Sequence, residues 1–271
     1  MKPTSDLGWE LTAALEAAEL AGAHIRTEYE TFRAIPDAPA SITTDVDRAS
    51  QDVIVQHLRS KFPKDALCGE EKTAALDGVP HRGPRTWVVD PIDGTRGFAR
   101  KTGQFSVMIG LLIDGQPAVG VVMEPALNRY TYAWAGGGCW TRVGDGTSVR
   151  CSVSSRASLA GCILTQSLSK PGQPTMPVQK LNPKGVIETY SGGVKLAIVA
   201  RGEADLYANT YEAFADWDIC AGHILVTEAG GLVTDLKGNP IEYQRSGFIQ
   251  DRGMLATNGR IHQETLDKLS Q

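Results

Sequence analysis

Apolar positions near the start of the chain recur at helical spacing: Leu11, Leu15, Ala18, Ala21 and Ile25 fall on one stripe. This predicts an amphipathic helix from about Leu7 to Phe32, with Ser5 or Asp6 available as its cap. A second helix is predicted from about Val46 to Lys61, burying Val53, Ile54 and Leu58, with Asp47 in its first turn and Pro63 just beyond its end. The period then shortens. Ala66-Leu67-Cys68 and Trp87-Val88-Val89 read as buried strands, and Pro91 is expected to stop the second. Two apolar runs between Phe105 and Val122 flank Asp114-Gly115, a turn pair suited to a hairpin. Strands near Arg129 to Ala133 and Cys139 to Val143, separated by Gly136-Gly137-Gly138, extend the same sheet.

The second half has a different rhythm. Ser167 to Pro183, rich in Pro, Ser and Gln, reads as an irregular segment. After it come a helix near Gly193 to Ala200, a strand near Ala204 to Tyr207 and a helix from about Trp217 to Ala229. Strands at Leu232 to Thr234 and Met254 to Ala256 and a helix at Ile261 to Leu269 close the chain. A meander followed by alternation implies an α/β, or layered α+β, architecture with two sheets and helices between and around them. The expected division is an N-terminal α+β half, residues 1–148, and a C-terminal α/β half, residues 149–271.

Composition narrows the partners. Among 271 residues no apolar stretch is long enough to cross a bilayer, and Met1 to Asp6 lacks the apolar core of a secretion signal. A cytoplasmic location without membrane partners is the expectation. The five cysteines are scattered and never form a Cys-x-x-Cys pair, so they read as small buried side chains. A net charge of −4 with no basic run argues against long nucleic acid. A small phosphorylated metabolite held through metal ions remains open.

Acids stand at four points where elements begin or end: Asp47, Glu70-Glu71, Asp90 with Asp93, and Asp218. Each alone has a cheap structural explanation, as a cap, a first-turn acid or a solvated loop pair. Together in one cleft they would have to protonate or bind cations, since two carboxylates about 4 Å apart repel by roughly 4 kcal/mol at an effective dielectric near 20. Oxygen donors without histidine or cysteine select hard ions, and magnesium is the expected one. Magnesium beside a phosphate ester points to phosphate ester hydrolysis.

The residues also carry a resemblance. Thr44-Asp45-Val46-Asp47, Gly69-Glu70-Glu71, Asp90-Pro91-Ile92-Asp93-Gly94-Thr95 and the run from Trp217 through Asp218 to Gly231 span nearly the whole chain. In this order they resemble the magnesium-dependent, lithium-sensitive phosphatase superfamily. That superfamily includes inositol monophosphatases, fructose-1,6-bisphosphatases and 3′(2′),5′-bisphosphate nucleotidases. The resemblance implies an α-β-α-β-α sandwich, two or three Mg²⁺ ions, inhibition by Li⁺ and a possible homodimer. It implies metal ligation by Glu70, Asp90, the carbonyl of Ile92, Asp93 and Asp218. It further implies that Thr95 with Asp47, and Glu70 through its metal, activate the attacking water for direct in-line attack. Asp93, Gly94, Thr95 and Asp218 would meet the substrate, with the Gly94 and Thr95 N–H groups on its phosphate.

Substrate choice rests on other positions. Tyr190-Ser191-Gly192-Gly193-Val194-Lys195 and Arg96-Gly97-Phe98 resemble the nucleotidase branch, where Ser191 and Lys195 would hold a second phosphate. The alternative for Lys195 is a solvated helix lysine. Ser167-Leu168-Ser169-Lys170 departs from the Ser-Arg-Ser-His common in that branch, and Asn209 to Phe214 lacks its Arg-x-Gly segment. Tyr211 and Phe214 read as base-stacking groups or as loop anchors, and His223 as a packed histidine. The leading expectation is hydrolysis of adenosine 3′,5′-bisphosphate to AMP. Behind it stand inositol monophosphatase, then histidinol-phosphatase or fructose-1,6-bisphosphatase, and a non-catalytic phosphometabolite-binding regulator.

Overall fold

The computed structural model describes residues 7–168, 173–211 and 214–271. Helices α1 (Gly8–Thr31) and α2 (Asp45–Lys61) come first, followed by β1 (Ala66–Gly69), β2 (Arg85–Asp93) and the short α3 (Thr95–Ala99). The meander β3 (Ser106–Ile113), β4 (Gln116–Glu124), β5 (Arg129–Trp134), β6 (Gly138–Val143) and β7 (Val149–Arg150) completes a seven-stranded sheet in the order β1-β2-β3-β4-β5-β6-β7. Beyond it lie β8 (Ile163–Gln166), α4 (Met176–Leu181), β9 (Gly185–Glu188), α5 (Gly192–Ala200) and β10 (Leu206–Asn209). Then come β11 (Phe214–Ala215), α6 (Cys220–Glu228), β12 (Leu232–Thr234), β13 (Ile249–Gln250), β14 (Met254–Thr257) and α7 (His262–Ser270). A second sheet of five strands runs β12-β14-β10-β8-β9, and β11 pairs with β13 alone.

The period-two alternation of strands decides the layering. Trp87 and Val89 of β2 join Val107, Ile109 and Leu111 of β3 in a core against α1 and α2. Val88, Met108 and Leu112 point the other way, into a core shared with α5, α6 and the inner face of the second sheet. The outer face of that sheet, Leu164, Leu206 and Leu255, packs on Leu181 of α4 and Leu266 and Leu269 of α7. The result is the α-β-α-β-α sandwich that the resemblance implied. At the centre α6 sits unusually close to the first sheet. Gly110 pairs with Gly120 across β3 and β4, and a Cβ on either would come within 2.6 Å of Cys220 Sγ or 2.4 Å of the Ala221 carbonyl.

Several expectations are corrected. Pro91 does not end β2: the strand continues to Asp93 through a register shift in which Asp90 faces Met108 and Asp93 faces Ser106. The bulge tolerates a proline that has no N–H to give the ladder. The segment expected to be irregular contains α4, whose first turn holds Pro177 and whose Thr175 hydroxyl accepts from Val178 N–H at 3.5 Å. Strands β8 and β9, on either side of that segment, were not expected. The helix foreseen from Trp217 starts as a 3-10 turn at Asp216–Asp218 and becomes α-helical only at Cys220. The expected caps Ser5 and Asp6, and Ser169 and Lys170, lie outside the described residues. All five cysteines are buried and free. No helix among the described residues is long and apolar enough to cross a membrane.

Candidate active site

The bulge in β2 aims Asp90 and Asp93 into one cleft, and the 3-10 turn before α6 brings Asp218 to meet them. One carboxylate oxygen from each of the three lies within 4.8 Å of the others. Glu70, just after β1, lines the same cleft with Ile92, Gly94 and Thr95. Gly94 makes the turn from strand to α3 at φ +83°, and a side chain there would come within 2.9 Å of the Gln104 carbonyl.

The protein raises three of these carboxyls. Burial, and then the charges of Glu70 and Asp93, raise the Asp90 carboxyl well above its usual range. Loss of water and the neighbouring Asp93 push Asp218 up to about 7. Glu70 opens to solvent through the cleft, yet the protein around it and the charge of Asp218 raise it to about 8. Asp90 Oδ1 is buried and has no hydrogen-bond partner. A buried carboxylate oxygen left without a donor, inside an oxygen-only cluster, fits a hard divalent cation. Glu70, Asp90, Asp93, Asp218 and the Ile92 carbonyl are the groups in place to hold one.

Asp47 is wholly buried at the start of α2 and works in two directions. Its Oδ2 accepts from Thr44 N–H at 2.9 Å, so it is the capping acid that its position suggested. Its Oδ1 accepts from the Thr95 hydroxyl at 2.8 Å, while the Ile92 carbonyl lies 2.9 Å from the same hydroxyl. One proton cannot serve both acceptors at once, so the Thr95 hydroxyl can turn. Burial raises the Asp47 carboxyl and makes it the better proton acceptor.

Ser191 and Lys195 are brought to the site from behind. Ser191 is wholly buried: its hydroxyl donates to Asp93 Oδ2 and accepts from Val194 N–H at 2.9 Å as the cap of α5. Ser106 Oγ, 2.9 Å away, completes its bonding. Gly192 and Gly193 N–H groups also donate to Asp93, at 3.1 and 2.7 Å. Lys195 is 1% exposed, which excludes a solvated helix lysine. Its ammonium donates to the Thr189 and Tyr190 carbonyls at 3.2 and 3.0 Å and to Ser167 Oγ at 3.2 Å. Burial lowers it to about 8 against the opposing pull of Asp93 and Asp218.

A second cavity of about 630 Å³ continues from the carboxylate cleft of about 500 Å³ and shares Arg96, Ser167, Leu168, Tyr190 and Tyr211 with it. Tyr211 is exposed on its rim, whereas Phe214 is buried as an anchor. His223 is packed under Tyr243, 2.8 Å from its hydroxyl, with burial lowering it to about 4. Sequence reasoning missed Ser106, the Gly192 and Gly193 donors and Arg100; only the last carried a signal, its spacing of four from Arg96.

The inositol monophosphatase family model matches residues 9–271. Histidinol-phosphatase of Mycobacterium tuberculosis is 34% identical over 267 residues, covering 96% of this chain and 98% of its own. The fructose-1,6-bisphosphatase/inositol-1-monophosphatase of Thermotoga maritima is 32% identical over 232 residues, covering 85% and 83%. The solved inositol monophosphatase of Anabaena superposes with a TM-score of 0.80 at 29% identity, covering 98% and 97%. With its carboxylate cleft and its layered fold, the chain belongs to the inositol monophosphatase family.

Proposed function

We propose that the protein is a magnesium-dependent phosphomonoesterase that hydrolyses adenosine 3′,5′-bisphosphate to AMP and phosphate. The observation that carries hydrolysis is the unpartnered Asp90 Oδ1 among converging carboxylates, with the Thr95–Asp47 pair beside it. Divalent cations bound there would neutralise the ester phosphate and acidify the attacking water. Thr95 Oγ1 would take a proton from that water as it passes its own to Asp47 Oδ1, the acceptor whose basicity burial has raised. Glu70, which lines the same cleft, would orient the same water. Asp93, held by the Ser191 hydroxyl and the Gly192 and Gly193 N–H groups at the start of α5, would keep its place as charge builds.

The nucleotide reading draws on the adjoining cavity. Its walls offer Tyr190, Tyr207 and Tyr211 with two arginines, enough room and aromatic surface for a nucleoside leaving group. A second reading, hydrolysis of an inositol phosphate or histidinol phosphate, draws on the names of the relatives. A phosphate-release panel with all these esters decides, run with magnesium, with added lithium and with EDTA. The proposal expects the highest kcat/KM on adenosine 3′,5′-bisphosphate, inhibition by lithium and no turnover in EDTA. Full turnover in EDTA would sink the metal-dependent reading, and preference for inositol or histidinol phosphate would move the assignment to the second.

A further inference from the structure

The cavity beyond the carboxylates contains two cations that the hydrolytic chemistry does not use. Arg96 and Arg100 stand one helical turn apart at either end of α3, immediately after Thr95, and both line the cavity. Between them stands Tyr190: the guanidinium carbons lie 5.8 and 6.0 Å from its ring centre, and Arg100 Nη1 donates to its hydroxyl at 3.0 Å. Arg96 Nε donates to the Ala38 carbonyl at 2.9 Å, which fixes its side chain from behind. Arg100 Nε is buried and has no partner at all. Among the described residues neither arginine has a carboxylate within ion-pair distance.

Like charges at this spacing repel, and a guanidinium pair held on one ring without a counter-ion is a stored demand for an anion. Lys195, expected from sequence to hold a second phosphate, already has its three donors directed at Ser167, Thr189 and Tyr190. It braces the backbone that carries Tyr190. The free donors facing the cavity belong to the arginines.

We propose that Arg96 and Arg100, clamped on Tyr190, are the specificity-determining pair of the enzyme. They bind a second anionic group on the leaving half of the substrate, so that the preferred substrates are phosphomonoesters whose alcohol carries another phosphate or comparable anion. This rests on the phosphomonoesterase reading. A planar guanidinium pairs with such a group through two hydrogen bonds, which a lysine at either position cannot copy in full.

The test compares adenosine 3′,5′-bisphosphate with adenosine 3′-phosphate, which differ only in the second anion, in the wild type and in Arg96→Gln, Arg100→Gln and Arg100→Lys. The wild type is expected to favour the bisphosphate through KM. Each glutamine variant is expected to lower the ratio of kcat/KM values for the two esters by about 10- to 100-fold, the worth of one or two charge-assisted hydrogen bonds. Arg100→Lys keeps the charge and is expected to retain part of the ratio, which separates anion binding from misfolding. Equal KM for the two esters in the wild type, or an unchanged ratio in both glutamine variants, overturns the proposal. If no ester releases phosphate with magnesium present, the phosphomonoesterase reading falls instead. Calorimetric titration with adenosine 3′,5′-bisphosphate then decides: binding tighter in the wild type than in Arg100→Gln supports the arginine site, and equal binding overturns it.

Discussion

The hydroxyl of Ser191 donates to the carboxylate of Asp93, 98 positions earlier in the chain, and so ties the start of α5 to the bulged end of β2. One residue both caps a helix and orients a carboxylate of the site. Ser191→Ala is expected to weaken apparent magnesium affinity by about 10- to 100-fold, the usual loss when a partner of a ligand is removed. The lost cap should also cost about 1 kcal/mol of stability. Magnesium titrations of activity, with a denaturation curve, check both; an unchanged half-saturating magnesium concentration would count against this role.

Asp90→Asn separates function from stability. The carboxylate is buried among like charges, so the neutral amide should raise the melting temperature in EDTA. Magnesium should raise the wild-type melting temperature and leave the variant nearly unmoved. Activity should fall by about three orders of magnitude or more, since several kcal/mol of charge stabilisation goes with the ligand. A variant that melts earlier in EDTA would show that Asp90 is stabilising rather than strained.

Thr95→Val removes the hydroxyl between Asp47 and the Ile92 carbonyl while keeping the side chain's shape. The expected result is a fall of about 10²- to 10⁴-fold in kcat with a much smaller change in half-saturating magnesium. Thr95→Ser should recover most of the rate. Pre-steady-state phosphate release measures this; equal losses in Val and Ser variants would rule out a hydroxyl role.

His223, packed under Tyr243, should make the protein acid-sensitive. Its folded value of about 4 lies below the ordinary 6.5, so the unfolded chain binds the proton first. Stability is therefore complete above about pH 6.5 and declines as pH falls towards 4, by about 2 kcal/mol between pH 7 and 5. His223→Gln can keep a hydrogen bond to Tyr243 and should flatten that decline. Denaturant curves at the two pH values test it, and parallel losses in wild type and variant would assign the acid sensitivity elsewhere.

The long helices and the hairpin sheet were legible because each presents one apolar face over many residues. The carboxylates were legible because the sequence places them near element boundaries, although Asp90 lies inside β2, three residues before its end. Lys195 was not: α5 lies between two sheets, so no face of it is solvated, and a lysine there is buried whatever its own preference. Pro91 misled for a related reason, since a bulge is a relationship between two strands and leaves no mark on one. Ser106 gained its significance only when α5 was folded against it, and Arg100, signalled in sequence by nothing beyond its spacing from Arg96, when Tyr190 was.

The glycine pair beneath α6 has a consequence for ion choice. Asp90 and Asp93 belong to the sheet, while Asp218 belongs to the turn that launches the helix, so the width of the carboxylate triangle is the helix-to-sheet distance read at one end. Gly110 and Gly120 set that distance, although neither carries a donor atom. A single methyl group at Gly120 would lift the helix and spread the triangle. Were the triangle to hold a divalent cation, such a change would favour larger, geometrically tolerant calcium over magnesium.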